Sequence, residues 1–510
     1  MGCFVLRGLI RSLMMLMVLS FFYGISFSET KASPKDSDVF KRGFKSYNID
    51  FNWGPGGPNE FAEAGLWADS DPNEHIQWYK STGVNVVQTF AVSCNGYAWY
   101  KNGIVPEQPG LKHDFLTEMV KLGHKENMLV MGYFCIAGNV RWGQLYPDES
   151  YGLVPTDGHI PLTKKYNKFL ADSIKDAITK TGMDGFMIDW VWHGPIHETK
   201  IKWLDCEIQM WSELMDGPFP GKDKVTKAQE LEFARRSVDR CWESIKHATK
   251  STDPDCIIWF NAWNLNHPQI VNSRMLKEAD WLMNEDGSIE TLNKLRKELG
   301  RGKLINCLAA WNGADPETVV PATLEAGAGL YGFTKPVKGN LMPGIDEYYL
   351  ATDFDELSAD DANIAMLARA YRGLEFPVRT KALSEKKPVT VSSTWAEYPG
   401  FDAARVNDGD HTTRWGSLKD VKSAWVEIDL EKQMDVNKVK IYELADRVRE
   451  FAIEYRTDPV ELWKTAATGT TIGNKLVVSF RTVRGRYFRL NMISATAEPT
   501  IWEFKLFGEN

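Results

Sequence analysis

A strand-like segment followed by a helix-like segment recurs eight times between about residues 44 and 380. The predicted strands are Ser46–Phe51, Asn85–Phe90, Met128–Phe134, Gly185–Asp189, Cys256–Asn261, Trp281–Asn284, Leu304–Ala309 and Gly329–Phe333. Apolar residues at helical spacing predict the helices Glu74–Ser81, Asp114–His124, Lys164–Thr181, Lys227–Lys250, Pro268–Leu276, Ile289–Leu299, Pro316–Ala326 and Ala359–Tyr371. This alternation predicts a (β/α)8 TIM barrel over residues 41–380. An open doubly wound sheet also alternates, but no Gly-x-Gly-x-x-Gly turn follows the first strand.

The composition changes after Pro377, and a short charged linker is predicted at Lys381–Lys387. Beyond it, apolar and polar residues alternate with a period of two in Trp425–Leu430, Val436–Tyr442 and Phe451–Tyr455. Strands of this kind, separated by loops, predict an antiparallel β-sandwich over residues 388–510. Two domains are also what a length of 510 residues favours.

The first 28 residues have the pattern of a secretory signal peptide. Arg7 and Arg11 precede an apolar run from Leu13 to Phe27, and small residues alternate at Ser26 and Ser28. The sequence therefore predicts export to the periplasm, the cell surface or the medium, with a retained N-terminal anchor as the alternative. No later stretch is apolar for long enough to cross a bilayer.

Charge and cysteine spacing exclude several classes of function. The formal net charge of −8 argues against a nucleic-acid partner. The six cysteines after the signal peptide permit three disulfides, but they are scattered, and a chain of this size does not need them. Neither a Cys-x-x-Cys nor a His-Glu-x-x-His spacing occurs, so we predict no zinc site and no cofactor for catalysis.

Asp189 ends the apolar strand Gly185–Asp189 and is followed by Trp190 and Trp192. An ionised carboxylate at the end of a buried strand is costly unless it is paired or used, so Asp189 is the candidate nucleophile. Tryptophan faces beside a carboxylate suit the stacking of a sugar ring, which indicates glycoside hydrolysis. That reaction requires a second carboxyl group, and Glu285, directly after the sixth strand, is the candidate acid/base. Each has a structural alternative. Asp189 could cap the next helix or bond to loop amides, and Glu285 could cap the helix that starts near Ile289.

Six of the eight predicted strand ends offer a tryptophan beside an amide or a carboxylate. Apolar platforms next to directional donors and acceptors suit a sugar, although any single tryptophan could serve packing alone. The candidate substrate-binding residues are Asp50, Trp53, Asn95, Trp99, Trp142, Trp190, Trp192, His193, Asn261, Trp263 and Trp311.

The C-terminal region resembles the discoidin, or F5/8 type C, family. The resemblance lies in the run Ala404–Trp415, in Trp425–Leu430 and in the final Glu503–Gly508. It implies a jelly-roll β-sandwich like that of carbohydrate-binding modules. It also implies a structural calcium ion held by Asp408, Asp410, Thr413 and Glu503, whose oxygen atoms suit that ion. A metal-free turn rich in Asp and Asn is the alternative.

The barrel resembles retaining glycosidases of the α-galactosidase and α-L-fucosidase kind. Their nucleophile follows the fourth strand in a motif like Gly-Phe-Met-Ile-Asp189-Trp, and α-L-fucosidases often carry a discoidin-type sandwich. Where α-L-fucosidases commonly have Lys-His-His-Asp-Gly-Phe, this chain has Val92–Tyr97 without the paired histidines.

The sequence therefore predicts a secreted retaining glycosidase acting on α-L-fucosidic or related bonds, with an accessory carbohydrate-binding module. One alternative is an endo-acting hydrolase of a fucose- or galactose-containing polysaccharide, sulfated or not. A second is a non-catalytic carbohydrate-binding or adhesion protein, in which Asp189 and Glu285 would only hydrogen-bond to a sugar.

Overall fold

The computed structural model describes residues 39, 43–54, 57–152, 159–194, 203–262, 265–298, 303–309, 315–337, 342–354, 357–377, 381–395, 400–409 and 413–508. The predicted signal peptide (residues 1–28) lies outside the described residues, as do the predicted site residues Trp263, Trp311 and Asp410.

The N-terminal part forms a closed barrel of eight parallel strands, which confirms the predicted fold. The first barrel strand is β1 (Lys45–Ile49), and a short hairpin of β2 (Trp53–Gly54) and β3 (Gly57–Phe61), which is not part of the barrel, follows it. The other seven barrel strands are β4 (Val86–Gln88), β5 (Leu129–Cys135), β6 (Gly185–Asp189), β7 (Ile257–Ala262), β8 (Trp281–Asn284), β9 (Lys303–Leu308) and β10 (Gly329–Thr334). The barrel closes because β1 pairs in parallel with both β4 and β10.

The helices around the barrel follow the predicted order. They are α1 (Pro72–Thr82), α2 (Phe115–Lys125), α3 (Val140–Leu145), α4 (Lys164–Thr181), α5 (Asp205–Leu214), α6 (Lys227–Thr252), α7 (Arg274–Glu278), α8 (Ile289–Glu298), α9 (Pro316–Glu325) and α10 (Ala359–Arg372). The prediction of a helix at Pro268–Leu276 is largely wrong. Ser273 is the N-cap, because its side chain accepts a hydrogen bond from the Leu276 backbone, and α7 therefore begins only at Arg274. The short helices α3 and α5 were not predicted.

Local sequence fixes the position of β6 and therefore of Asp189. Thr163 caps α4, and Gly182, at φ 66°, ends it in the left-handed conformation that glycine tolerates. Three residues later β6 begins at Gly185, where a β-carbon would collide with the backbone carbonyl of Ile257 on β7. The glycine thus permits close packing of β6 on β7. The strand then runs through buried residues to the partly exposed Asp189.

A separate antiparallel sheet follows, as predicted. It contains β11 (Val389–Val391), β12 (Trp415–Gly416), β13 (Ala424–Glu443), β14 (Val448–Arg456), β15 (Lys464–Gly469), β16 (Leu476–Ala495) and β17 (Thr500–Phe507). Along the first half of β13 buried and partly exposed residues alternate, so one face of the sheet covers a core of its own. The core cluster of this sheet begins at Val406, whereas that of the barrel ends at Tyr371.

The segment predicted as a linker is attached to this sheet. The backbone N–H of Leu383 donates to the carbonyl of Leu506 at 2.8 Å. Ser384 is buried and its hydroxyl donates to the carbonyl of Phe504 at 3.3 Å. Residues 383 and 384 therefore belong structurally to the C-terminal domain.

No disulfide joins the cysteines that the structure describes. Within the same residues, no helix is long and apolar enough to span a membrane.

Candidate active site

Three carboxyl groups lie at the carboxyl ends of barrel strands, where (β/α)8 barrels place their chemistry. Asp50 directly follows β1, Asp189 ends β6, and Glu285 directly follows β8. All three are partly exposed, as groups that meet a ligand must be.

Asp189 accepts three hydrogen bonds that hold its carboxylate in one orientation. The Tyr133 hydroxyl donates to Oδ2 at 2.8 Å, and the Trp190 backbone N–H donates to Oδ1 at 2.8 Å. The third comes from Asn261 Nδ2 to Oδ1 at 3.1 Å. Burial raises the pKa of Asp189 to about 6, while these hydrogen bonds favour the ionised form and oppose the rise. Asp189 is therefore mainly an anion at neutral pH.

Asn261 connects the two candidate catalytic groups. Its Nδ2 atom also donates to Glu285 Oε2, at 2.9 Å, so a single amide nitrogen bonds to both carboxyl groups. The side chain of Asn261 is buried, and its Oδ1 has no hydrogen-bond partner among the described residues.

Glu285 differs electrostatically from Asp189. Burial, and then the negative charge of Asp189, raise the pKa of Glu285 to about 8. The group is therefore mainly protonated at neutral pH, as a general acid must be. Its neighbour Asp286 makes the turn contacts instead, accepting from the backbone of Ser288 and the hydroxyl of Thr291.

Asp50 is the third member of this acidic group. Burial and the charge of Asp189 raise the pKa of Asp50 to about 7, against the hydrogen bond from the Asn52 backbone. The group therefore changes charge near neutral pH and is placed to contact a ligand hydroxyl.

Three of the predicted tryptophans are partly exposed near the strand ends. Trp190 has a φ of 57°, and its ring lies 5.0 Å from the ring of Trp192. Phe61 also packs edge-on against Trp190, with ring centroids 5.0 Å apart. Trp53 contacts Phe333 edge-to-face at 5.5 Å. Trp53, Trp190 and Trp192 are therefore partly exposed, as a ring that stacks on a sugar must be.

Three other residues that were predicted to contact substrate are buried in the structure and contact neighbouring side chains. Trp99 is fully buried, stacks on Phe51 at 4.3 Å and donates to Ser93. Trp142 is buried against Tyr166 and its neighbours. Asn95 is buried, and its amide exchanges hydrogen bonds with the side chain of Gln108.

His193 has a positioning role in the structure. It is buried, and its Nε2 lies 3.1 Å from Glu207 Oε1 and 3.4 Å from the Tyr151 hydroxyl. The side chain of Gln269 bonds to both the backbone N–H and the carbonyl of His193. Although burial opposes it, the hydrogen bonds from His193 and Tyr151 lower the pKa of Glu207. These contacts anchor the loop that carries Trp190 and Trp192.

Tyr133, Tyr151, Glu207 and Gln269 were not predicted as site residues. Tyr133 offered the one usable signal, a phenol in an otherwise apolar strand that ends beside Asp189. The other three lie in loops or helices far from Asp189 in sequence, so only the fold brings them near His193.

The residues predicted to bind calcium lie together where they are described. The Thr413 hydroxyl donates to Asp408 Oδ2 at 2.7 Å, and the Gly409 backbone donates to Glu503 Oε1 at 2.8 Å. Glu503 is buried, and its Oε2 has no hydrogen-bond partner in the part of the chain that is described. Burial, and then the charge of Asp408, raise the pKa of Glu503 to about 8. An oxygen-binding cation would fit this donor set. No group of three or more His, Cys, Asp or Glu residues suited to a metal occurs in the described ranges.

Comparison with known proteins assigns both regions. Residues 71–190, which include Tyr133 and Asp189, match the family described as "Hypothetical glycosyl hydrolase 6", and residues 388–504 match the F5/8 type C domain. Part of the barrel is thus similar to a glycosyl hydrolase family, and the C-terminal sheet is similar to the F5/8 type C domain.

Individual relatives match shorter or more distant stretches. An Oryza sativa subsp. japonica protein named "Putative alpha-L-fucosidase 1" is 33% identical over 93 residues, which is 18% of each protein. The chain thus covers about a fifth of that relative's length. Among solved structures, chitosan-binding module 1 of a chitosanase/glucanase from Paenibacillus sp. IK-5 is 30% identical over 25% of this chain and 100% of that module, with a TM-score of 0.24. The alpha-L-fucosidase isoenzyme 2 from Paenibacillus thiaminolyticus is 12% identical over 65% of this chain and 49% of that one, with a TM-score of 0.43.

Proposed function

We propose that this glycosyl hydrolase is an exported, retaining enzyme that cleaves α-L-fucosidic or related bonds in a complex glycan. Asp189 is the nucleophile and Glu285 the acid/base. The observation that carries the proposal is the hydrogen bonding of one nitrogen, Asn261 Nδ2, to both carboxyl groups.

The geometry supports a double displacement. Both oxygens bond to the same nitrogen, so they lie no more than about 6 Å apart. Retaining carboxyl pairs are separated by ~5–5.5 Å and inverting pairs by ~6.5–9.5 Å. An inverting enzyme needs the larger spacing because a water molecule lies between the sugar and the base. The bound found here lies below that range and favours direct attack by a carboxylate on the sugar.

In the first step an oxygen of the Asp189 carboxylate attacks the anomeric carbon, and the bond to the leaving oxygen breaks as Glu285 donates its proton to that oxygen. In the second step Glu285, now ionised, takes a proton from water. The water oxygen then bonds to the anomeric carbon, and the bond to Asp189 breaks with its electron pair returning to the carboxylate. The enzyme regains its starting protonation state.

The fucose assignment rests on the similarity to the rice protein and on the motif that ends in Asp189. A panel of 4-nitrophenyl glycosides tests it, and we expect the α-L-fucoside to be the best substrate. Fucose- or galactose-containing polysaccharides, with and without sulfate, form a second arm in which oligosaccharide products would indicate the endo-acting alternative. Binding without turnover of any substrate would indicate the non-catalytic alternative.

The two candidate groups predict a bell-shaped pH dependence of kcat/KM. Asp189 must lose its proton, so activity rises as pH increases through about 6. Glu285 must keep its proton, so activity falls as pH increases through about 8. The check is the pH profile on an aryl fucoside together with that of Glu285→Gln, which should lose only the alkaline limb. An alkaline limb that survives in Glu285→Gln would contradict the assignment.

We infer that the F5/8 type C domain assists binding to polymeric substrate rather than the chemistry. The barrel and the sheet have separate cores, so a chain ending at residue 380 should fold and act on a soluble aryl fucoside within about twofold of the full chain. It should lose retention on insoluble polysaccharide, measured by pull-down beside the full chain. Unfolding of the shortened chain would show that the sheet supports the barrel instead.

We also propose that Asp408, Thr413 and Glu503 hold a calcium ion, together with Asp410. The ion would neutralise the carboxylates and fix the loop they share. Removing calcium with EDTA should therefore lower the melting temperature of the full chain by roughly 5 °C, with recovery on adding calcium back. Glu503→Gln should make the melting temperature insensitive to calcium. Equal melting temperatures in EDTA and calcium would refute this site.

A further inference from the structure

Arg414 lies between two aromatic rings at one end of the C-terminal sheet. Its guanidinium carbon is 4.7 Å from the ring centroid of Phe401 and 4.7 Å from that of Trp502. Arg414 directly precedes β12, whose Trp415 is buried in the core, so its backbone is fixed to the sheet. The two rings restrict the plane of the guanidinium.

The charge of Arg414 is not compensated within the described part of the chain. No carboxylate or carbonyl there accepts a hydrogen bond from it, although the side chain is partly buried. The positive charge of Arg447 also acts on Arg414. Unlike Arg414, Arg447 has a partner, because its Nη1 donates to the carbonyl and to the carboxylate of Glu498.

Other arginines of the same domain that stack on aromatic rings show a different arrangement. Arg456 and Arg489 both lie 4.2 Å from the ring of Trp463. Each is paired with a carboxylate, Arg456 with Glu427 at 2.9 Å and Arg489 with Glu454 at 2.7 Å. At these two positions, an arginine that stacks on an aromatic ring is also ion-paired, whereas Arg414 has no ion pair with any residue that the structure describes.

A stacked guanidinium without a partner is a preorganised receptor for an anion. Its N–H groups form a planar fork that matches a carboxylate or a sulfate, and the orientation that binding requires is already set. A partly buried cation is costly when it is unpaired, so an incoming anion would also relieve that cost. The flanking rings supply apolar surface for a sugar attached to the anion.

We propose that Arg414 binds the carboxylate or sulfate group of an acidic saccharide, with Phe401 and Trp502 as the walls of the site. The ligand of the C-terminal domain would then be a saccharide that carries a carboxylate or a sulfate group. The proposal is independent of the glycosidase assignment, because its test measures binding and not turnover. The net charge of the chain, −8, disfavours non-specific adsorption to polyanions, so retention on one requires a local site.

The test is affinity electrophoresis of the full chain in native gels that contain polygalacturonate, dextran sulfate or uncharged dextran. We expect retardation by at least one acidic polymer and none by dextran. Arg414→Met should weaken binding about tenfold or more, the effect of removing a charged hydrogen-bond pair. Arg489→Met is the matched control, since it also removes a stacked arginine but one that is already ion-paired, and it should bind like the native chain.

Polygalacturonate and dextran sulfate distinguish the two forms of the anion, and retardation by only one of them identifies which form is bound. Retention of native affinity by Arg414→Met, an equal loss in Arg489→Met, or no retardation of the native chain by either acid would overturn the proposal. Melting temperatures verify folding. Arg414→Lys is the second variant, because it keeps the charge without the fork, and native affinity in Arg414→Lys would also overturn the role of the guanidinium.

Discussion

Asp189→Asn should fold normally and lose at least about 10³-fold in kcat on an aryl fucoside, because an amide is a far weaker nucleophile than a carboxylate. The asparagine amide has nearly the same shape as the carboxylate that it replaces. It occupies the position to which Tyr133, Trp190 and Asn261 donate hydrogen bonds. The loss should therefore appear in kcat rather than in the melting temperature. Initial rates and thermal unfolding of the purified variant measure the two quantities.

Asp184→Asn is the matched control for Asp189→Asn. Asp184 immediately precedes β6, at the opposite end of the strand, where it is buried and contacts His124 and the Val130 backbone. This substitution should lower stability and leave kcat of the folded enzyme nearly unchanged. Azide should restore part of the activity of Asp189→Ala by entering the vacated space as an external nucleophile. Near-native turnover in Asp189→Asn would exclude Asp189 as the nucleophile.

Glu285→Gln should slow substrates with poor leaving groups by roughly 10²–10⁴-fold and affect activated aryl glycosides far less. Only a poor leaving group needs the proton that the protonated Glu285 supplies. The measurement is a series of aryl fucosides of increasing phenol pKa, for which the variant should show a much steeper dependence of rate on leaving-group pKa than the native enzyme.

Asp286→Asn is the control for Glu285→Gln, since Asp286 is exposed and bonds to the turn at Ser288 and Thr291. It should retain the native dependence on leaving group. If Glu285→Gln lost activity equally on all substrates, Glu285 would have a structural role and the assignment of the acid/base would fail.

The barrel was predictable because each of its eight strands, and most of its longer helices, has a local sequence signal. The bounds of α4, β6 and β8 agree with the sequence patterns residue by residue, since capping residues and short apolar runs mark their ends. The positions of the two candidate carboxyl groups at strand ends were also predicted from sequence, because each directly ends or follows a short apolar strand. Their bridging by Asn261 depends on neighbouring strands and required the structure.

The roles of the tryptophans could not be predicted in the same way. Trp99 and Trp190 both occur near strand ends, but the segment after β4 folds back on itself, with a bridge between Val92 and Ala98, and buries Trp99. Trp190, in the left-handed backbone conformation, remains partly exposed. Burial of a loop residue is set by packing against distant segments, so local sequence carries no signal for it.

The most direct test of the proposed reaction is the anomeric configuration of the first product, observed by ¹H NMR during hydrolysis of 4-nitrophenyl α-L-fucoside. Double displacement at Asp189 predicts that α-L-fucose forms first and then mutarotates toward the equilibrium mixture. First appearance of β-L-fucose would show a single displacement by water, and the absence of hydrolysis would contradict the fucosidase assignment.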